Sequence, residues 1–238
     1  PPGAGKARPG AELVRGGIAP NELLVTEGRF RYLVDVTAPV GTGIFPDMRH
    51  GRRLVAGLAG GRRVLNCFSY TGAFSLVAAA SGASQVVSVD SAARAHARAR
   101  RNFSENGLDP EASNMEFVTG DAFAVASRLA QRNRRFDLII ADPPTFSTVK
   151  GKAFTASKDF AELTAEILPL VEHNGLIVLA CNAAKLGEAE LDRAVGIGAG
   201  NANRRCLVVR RLGQPEDYPV LPAFTEGKYL KIFLIQVD

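Results

Sequence analysis

No stretch of this 238-residue chain approaches the roughly 18 consecutive apolar residues of a membrane span, and no signal-peptide pattern opens it. Cysteine is scarce: three residues, odd in number and far apart, argue for a reducing compartment and against a disulfide framework. Together these absences predict a cytoplasmic protein with no membrane partner. His50, His96 and His173 stand apart from other ligating residues, so no metal site is expected. Also missing is the Gly-x-Gly-x-x-Gly fingerprint, which lets a dinucleotide's pyrophosphate sit against a helix N-terminus. That absence counts against a nicotinamide enzyme.

What remains is an ordinary globular composition, 46% hydrophobic and 22% charged, long enough for one full α/β domain and a modest appendage. A net charge of +5 suits a polyanionic partner. Residues 1–20 are rich in Gly, Pro, Ala and Arg without apolar periodicity, which predicts a flexible arm. Residues 21–56 hold a segment that alternates around Glu27-Gly28-Arg29, a β-hairpin over 22–36, followed by a glycine-bearing stretch suited to covering a ligand. The main domain is expected over 57–238.

From Arg63 onward the pattern repeats. Strands are predicted near 63–67, 85–90, 114–119, 136–141 and 174–181, with helices near 72–82, 91–106, 121–132 and 155–172. Such alternation predicts a doubly wound, mostly parallel sheet with right-handed crossovers. A weaker helix near 187–200 and strands near 204–212 and 228–237 predict an antiparallel hairpin at the sheet edge, seven strands in all. In the second helix Ser91 is positioned to cap the start and Asn106-Gly107 to close the end. Its Arg94, Arg98 and Arg101 share one face, either solvated or tracking phosphates.

The candidate chemistry sits at the carboxyl ends of the strands. Asn66, Phe68, Ser69 and Gly72 form the turn after the first repeating strand, and a ligand without phosphate can occupy it without a glycine fingerprint. Asp90, followed by Ser91, ends the next strand and suits ribose hydroxyls. Gly120-Asp121-Ala122 follows the third strand and suits an adenine amino group, with helix capping as the alternative role for Asp121. Asp142-Pro143-Pro144 is the strongest local signal, because two prolines fix the backbone and remove donors beside the carboxylate. Phe45, Asp47 and Arg49 lie in the glycine-bearing stretch, the arginine able to grip a carboxylate with both arms. This set reads as a methyltransferase with S-adenosylmethionine as cofactor. Cys181 ends the fifth strand on the same edge as Asp142, either as a nucleophile or as a small buried hydrophobe. Pro144, Thr145, Phe146, Asn182 and Lys185 are the candidate substrate contacts.

The span from about Glu22 to Val237 resembles the bacterial large-subunit ribosomal RNA methyltransferases that make 5-methylcytosine, and the related domain that makes 7-methylguanosine. The resemblance rests on Thr42-Gly43-Ile44-Phe45-Pro46-Asp47-Met48-Arg49, Asn66-Cys67-Phe68-Ser69-Tyr70-Thr71-Gly72, Val87-Ser88-Val89-Asp90, Asp142-Pro143-Pro144-Thr145-Phe146-Ser147 and Glu226-Gly227-Lys228-Tyr229-Leu230-Lys231. It implies a donor pocket lined by Phe45, Asp47, Arg49, Asn66, Ser69, Asp90, Asp121 and Asp142. The tail from Tyr218 to Lys231 and the position of Cys181 are similar to the cytosine branch. Ala180 and Asn182 stand where that branch has hydroxyl residues, and Pro144-Thr145-Phe146-Ser147 with Asn182 and Lys185 looks like the guanine branch. The Gly/Pro-rich arm stands where the cytosine enzymes carry an RNA-binding domain of the PUA type.

The expectation is therefore methylation of cytosine carbon-5 in ribosomal or other structured RNA, with Cys181 attacking carbon-6 and Asp142 holding the base edge. The alternatives are guanine N7 or a small-molecule acceptor without a covalent step, and an inactive RNA-binding scaffold. A homodimer is a further expectation.

Overall fold

The computed structural model describes residues 15–17, 20–38, 41–145 and 157–238. Most of the expected arm, 1–20, and Phe146 lie outside the described residues. The expected hairpin is present as β1 (Leu23–Glu27) and β2 (Phe30–Val34), joined by a two-residue turn that opens on Gly28 at φ 60°. A single 3-10 turn, Pro46–Met48, leads into α1 (Arg49–Leu58). That helix runs across the expected boundary at 56/57, and its Val55 is packed into the main core with Phe74 and Leu138.

The repeating part then follows in order as β3 (Arg63–Cys67), α2 (Ala73–Ala80), β4 (Gln85–Asp90), α3 (Ala93–Glu105), β5 (Met115–Thr119), α4 (Ala122–Gln131), β6 (Phe136–Ala141), α5 (Ser157–Ile167), β7 (Val171–Cys181), α6 (Glu188–Asn201), β8 (Cys206–Leu212) and β9 (Lys231–Val237). The central strands read as continuous apolar runs because helices cover both faces of the sheet. Alternate residues feed two cores: Leu65, Ile139 and Phe233 pack under α4, α5 and α6, while Val64, Leu138 and Ile232 pack under α1 and α2. The helix expected over 155–172 stops at Ile167, since Pro169 cannot continue it, and a 3-10 turn at Leu168–Leu170 delivers the chain to β7.

Strand order is β5-β4-β3-β6-β7-β9-β8, parallel from β5 to β7, with β9 antiparallel to both of its neighbours. The chain winds outward from β3 through β4 to β5, then returns to lay β6 on the other side of β3. The crevice between those two directions is the topological switch point, where doubly wound sheets bind ligands beyond the strands' carboxyl ends.

The hairpin is clamped onto α3. Asn102 Oδ1 accepts from the Leu33 N–H at 2.8 Å, Asn102 Nδ2 donates to the Thr71 carbonyl at 2.9 Å, and Asn106 bonds both backbone groups of Arg31. Tyr32, Val34 and Ile44 pack on Leu76 and Phe103 beneath it. Between hairpin and α1, Gly43 takes φ 119°, and a Cβ there would lie 2.7 Å from the Leu33 carbonyl oxygen. Its own carbonyl accepts from the Thr71 hydroxyl, fastening this strap to the turn after β3. Gly43→Ala should therefore cost about 2 kcal/mol or more. Urea unfolding of the variant checks this, and an unchanged midpoint would show that the strap can give.

Candidate functional site

The turn after β3 passes through two left-handed residues that are not glycine, Phe68 at φ 61° and Tyr70 at φ 48°. Such backbone stores strain and persists only where its surroundings fix it. Here the fixing groups come from β4: the Val89 carbonyl accepts from the Ser69 N–H at 2.8 Å, and Asp90 Oδ2 accepts from the Tyr70 N–H at 2.7 Å. Asp90 Oδ1 accepts from the Ala92 N–H at 2.8 Å, so one carboxylate organises both this turn and the start of α3. The cap expected from Ser91 is not formed: residue 92 precedes the helix and no side chain caps it. Behind the turn the Ser69 hydroxyl lies 3.3 Å from His96 Nε2, and His96 Nδ1 lies 3.2 Å from the Thr119 hydroxyl. Burial pushes the His96 pKa down, favouring the neutral ring.

A cavity of about 500 Å³ opens between this turn and the ends of β4, β5 and β6. Its floor is Ser69, Asp90, Ser91, Gly120, Asp121, Ala122, Asp142 and Pro143, and segment 44–52 closes it through Phe45, Asp47, Met48 and Arg52. Asp121 caps α4, its Oδ1 accepting from the Ala124 N–H at 3.0 Å, and it also lines the cavity. The Phe45 ring, 49% exposed, leans on Tyr70 at 5.6 Å between centroids. The Tyr229 hydroxyl donates to Asp47 Oδ2 at 2.8 Å, bringing the segment before β9 to the same wall. Asp142 is pushed up to about 7, chiefly by burial and then by the Asp47 carboxylate, with the Arg52 guanidinium opposing both.

At the far end the cavity meets Pro144, Thr145 and Asn182. Thr145, 3% exposed, has no partner for its hydroxyl, and the Asn182 amide oxygen has none either among the described residues. Buried polar atoms left unpaired are costly in a native fold, so a pair of them on one wall points to a polar ligand edge. Cys181 sits just behind Asn182 but off the wall, 0% exposed. Burial raises its pKa, and Asp142 adds to that; a backbone N–H bond from Ala183 and the Lys231 ammonium work the other way.

The structure thus brings Phe45, Asp47, Phe68, Ser69, Asp90, Ser91, Gly120, Asp121, Ala122, Asp142, Pro143, Pro144, Thr145 and Asn182 to one cavity. Arg49, Asn66, Gly72, Cys181 and Lys185 do not line it. Arg49 turns outward into an ion pair with Asp217. Asn66 is buried below the turn, donating to Ser75 Oγ at 2.9 Å. Gly72, at φ 75°, is needed because a Cβ would meet Ala99 Cβ at 2.8 Å. The guanidinium on the wall is that of Arg52, which is 3% exposed and held by Glu27 and the Phe45 carbonyl. Sequence reasoning missed it because Arg52 stands in an arginine-rich run and its partner lies 25 residues away. Tyr70 and Thr71, also on the wall, were quoted in the turn but given no role. Among the described residues no group of three or more His, Cys, Asp or Glu could hold a metal, and no helix is long and apolar enough to cross a membrane.

The sequence model of the S-adenosylmethionine-dependent methyltransferases matches residues 11–234. YwbD of Bacillus subtilis (strain 168) is 37% identical over 226 residues, covering 94% of this chain and 57% of that protein. A protein of Erwinia tasmaniensis named ribosomal RNA large subunit methyltransferase I is 33% identical over 236 residues, covering 98% of this chain and 59% of its own length. The chain therefore spans a little more than half the length of these curated relatives. Among solved structures, SMU.776 complexed with SAH superposes with a TM-score of 0.87 at 33% identity, covering 94% of this chain and 58% of that one.

The Asp142 environment has a consequence for stability. An unfolded chain releases an aspartate proton near pH 4, whereas the folded site holds it until about 7. Between those values the folded state binds more protons than the unfolded one, so stability falls as pH rises. Asp142→Asn should flatten that slope and gain on the order of 1–3 kcal/mol at pH 8 relative to pH 4. Urea unfolding across this range measures it; parallel profiles for the two proteins would contradict the assignment.

Proposed function

We propose that this chain, which belongs to the S-adenosylmethionine-dependent methyltransferase family, methylates a base of large-subunit ribosomal RNA, with cytosine carbon-5 as the acceptor atom. The observation that carries the reading is the meeting, in one cavity, of the strand-end carboxylates Asp90 and Asp142 with the unpartnered polar atoms of Thr145 and Asn182. The relative named for ribosomal RNA and the net charge of +5 support a polyanionic substrate.

The residues present fit the donor. A cavity of about 500 Å³ lies within the usual range for small-molecule sites, roughly 300–1,000 Å³. Each Asp90 oxygen accepts one backbone N–H and keeps a lone pair for a ribose hydroxyl. Gly120, Asp121 and Ala122 border the adenine position, and Asp47 offers a carboxylate to the amino group of the methionine end. When bound, the donor supplies an electrophilic methyl group on a sulfonium.

At the acceptor end, the raised pKa of Asp142 allows its carboxyl to donate to a ring nitrogen and accept from an amino group, the complement of the cytosine edge. The Asn182 amide oxygen is a further acceptor for that amino group. Cytosine carbon-5 is a weak nucleophile, so a thiolate adding to carbon-6 is needed to activate it; after methyl transfer a base removes the carbon-5 proton and the carbon-6–sulfur bond breaks, restoring the ring and the thiolate. Cys181 ends β7, the strand paired with β6 before Asp142, and is buried behind the wall at that corner, so attack requires its sulfur to come forward. The base would leave its stack to enter the pocket.

A second reading, methylation of guanine N7 or a small-molecule acceptor without a covalent step, draws on the complete burial of Cys181 behind the cavity wall. The experiment that separates the readings is mass-spectrometric nucleoside analysis of large-subunit ribosomal RNA from cells with and without the protein, complemented by wild type or Cys181→Ala. Loss of 5-methylcytosine without the protein, restored by wild type and not by the variant, is the expected result. Full restoration by Cys181→Ala would transfer support to the second reading, and unchanged RNA modification would reject ribosomal RNA as substrate.

A further inference from the structure

Lys231 stands directly opposite Cys181 in the antiparallel register of β7 and β9. Both face the core formed with α5 and α6, as Phe233 and Ile235 do, while Ile232 and Leu234 face the other core. Opposed residues on one face of an antiparallel pair are neighbours. Apolar residues fill the remaining β9 positions on that face, so a lysine that is 5% exposed breaks the pattern. Its ammonium donates to the Ala183 carbonyl at 2.6 Å. No carboxylate lies within ion-pair distance of it among the described residues. A buried ammonium without a carboxylate partner is costly, and such groups gather at functional sites.

The bond to Ala183 explains where that cost is used. The segment Cys181-Asn182-Ala183 turns away from the sheet edge with its last carbonyl held by Lys231 and its last N–H bonded toward the Cys181 sulfur. Between those two anchors is Asn182, whose unpartnered amide oxygen belongs to the cavity. The charged groups around the pair come from three elements. Lys231 on β9 and Asp142 at the end of β6 act on the thiol, with opposite sign; burial pushes the Lys231 pKa down, and the thiol, Glu188 and Glu190 of α6 oppose that shift and favour the ammonium. Glu190 is already engaged by the Gly187 N–H at 2.9 Å.

We propose that Lys231 is a positioning residue for the acceptor end of the site: its buried ammonium fixes the Cys181–Ala183 turn and supplies the positive charge that stabilises a Cys181 thiolate. The thiol proton passes to solvent, and the sulfur lone pair becomes available for attack on the base. The role rests on the reading of Cys181 as nucleophile, and the test keeps the two apart.

The thiolate absorbance of Cys181 in the ultraviolet is titrated in wild type, Lys231→Met and Lys231→Arg, with the Cys181→Ala spectrum subtracted to remove Cys67 and Cys206. Removing a neighbouring opposite charge should raise the thiol midpoint by roughly one unit or more in Lys231→Met, and Lys231→Arg should recover part of it. Turnover on ribosomal RNA from cells lacking the protein should fall about tenfold per unit at fixed pH. S-adenosylmethionine affinity measured by calorimetry should stay unchanged in both lysine variants, which also reports that they fold. Coincident thiol midpoints in wild type and Lys231→Met would overturn the proposal. Full turnover by Cys181→Ala would overturn the nucleophile reading beneath it, whatever the midpoints show.

Discussion

The architecture of the site depends on a single carboxylate. Asp90 accepts from the N–H groups of Tyr70 and Ala92 at once, so the strained turn after β3 and the chain entering α3 are positioned by one residue at the end of β4. Two left-handed non-glycine residues in that turn are costly unless held, and the holding groups leave the concave side of the turn facing the cavity. Ordering the backbone in advance in this way spares a ligand the entropy of ordering it on binding.

Around that floor, two segments distant in sequence make the remaining walls. Segment 41–52 is pinned by Thr71 to the Gly43 carbonyl, by Tyr70 to the Gly41 carbonyl at 3.1 Å and by Arg52 to the Glu27 carboxylate. The segment between β8 and β9 meets it through Tyr229 on Asp47 and Asp217 on Arg49. The second of these is an exposed ion pair and contributes little to stability; the first is partly buried and fixes the orientation of a cavity carboxylate. Asp47 is thereby set facing Asp142, and the proximity of two acids joins burial in keeping one of them protonated near neutral pH.

Much of this was legible in the residues. Apolar runs ending in Asp90 and Asp142 disclosed both the strand period and the edge on which ligands bind, because parallel strands covered on both faces leave polar residues only at their ends. The 22–36 hairpin was legible from its alternation and Gly28. What was not legible depended on partners far apart in the chain. Nothing local distinguishes Arg49, which pairs with Asp217, from Arg52, which pairs with Glu27 and reaches the cavity. Asn66 is the polar residue near the end of an apolar strand and looks ligand-facing, yet the pleat turns it inward to Ser75. The helix expected to run to 172 ends at Ile167, because Pro169 lacks the N–H that a further turn needs. Cys181 does end a strand on the edge shared with Asp142, but it is buried behind the cavity wall rather than lining it.

The central claim is that the cavity floored by Asp90 holds the methyl donor. Calorimetric titration with S-adenosylmethionine, on wild type and on Asp90→Asn, tests it most directly. The account predicts saturable binding of one donor per chain, weakened about tenfold or more in the variant, equivalent to about 1.4 kcal/mol. Absence of binding to the wild type, or equal affinity in the two proteins, would contradict it.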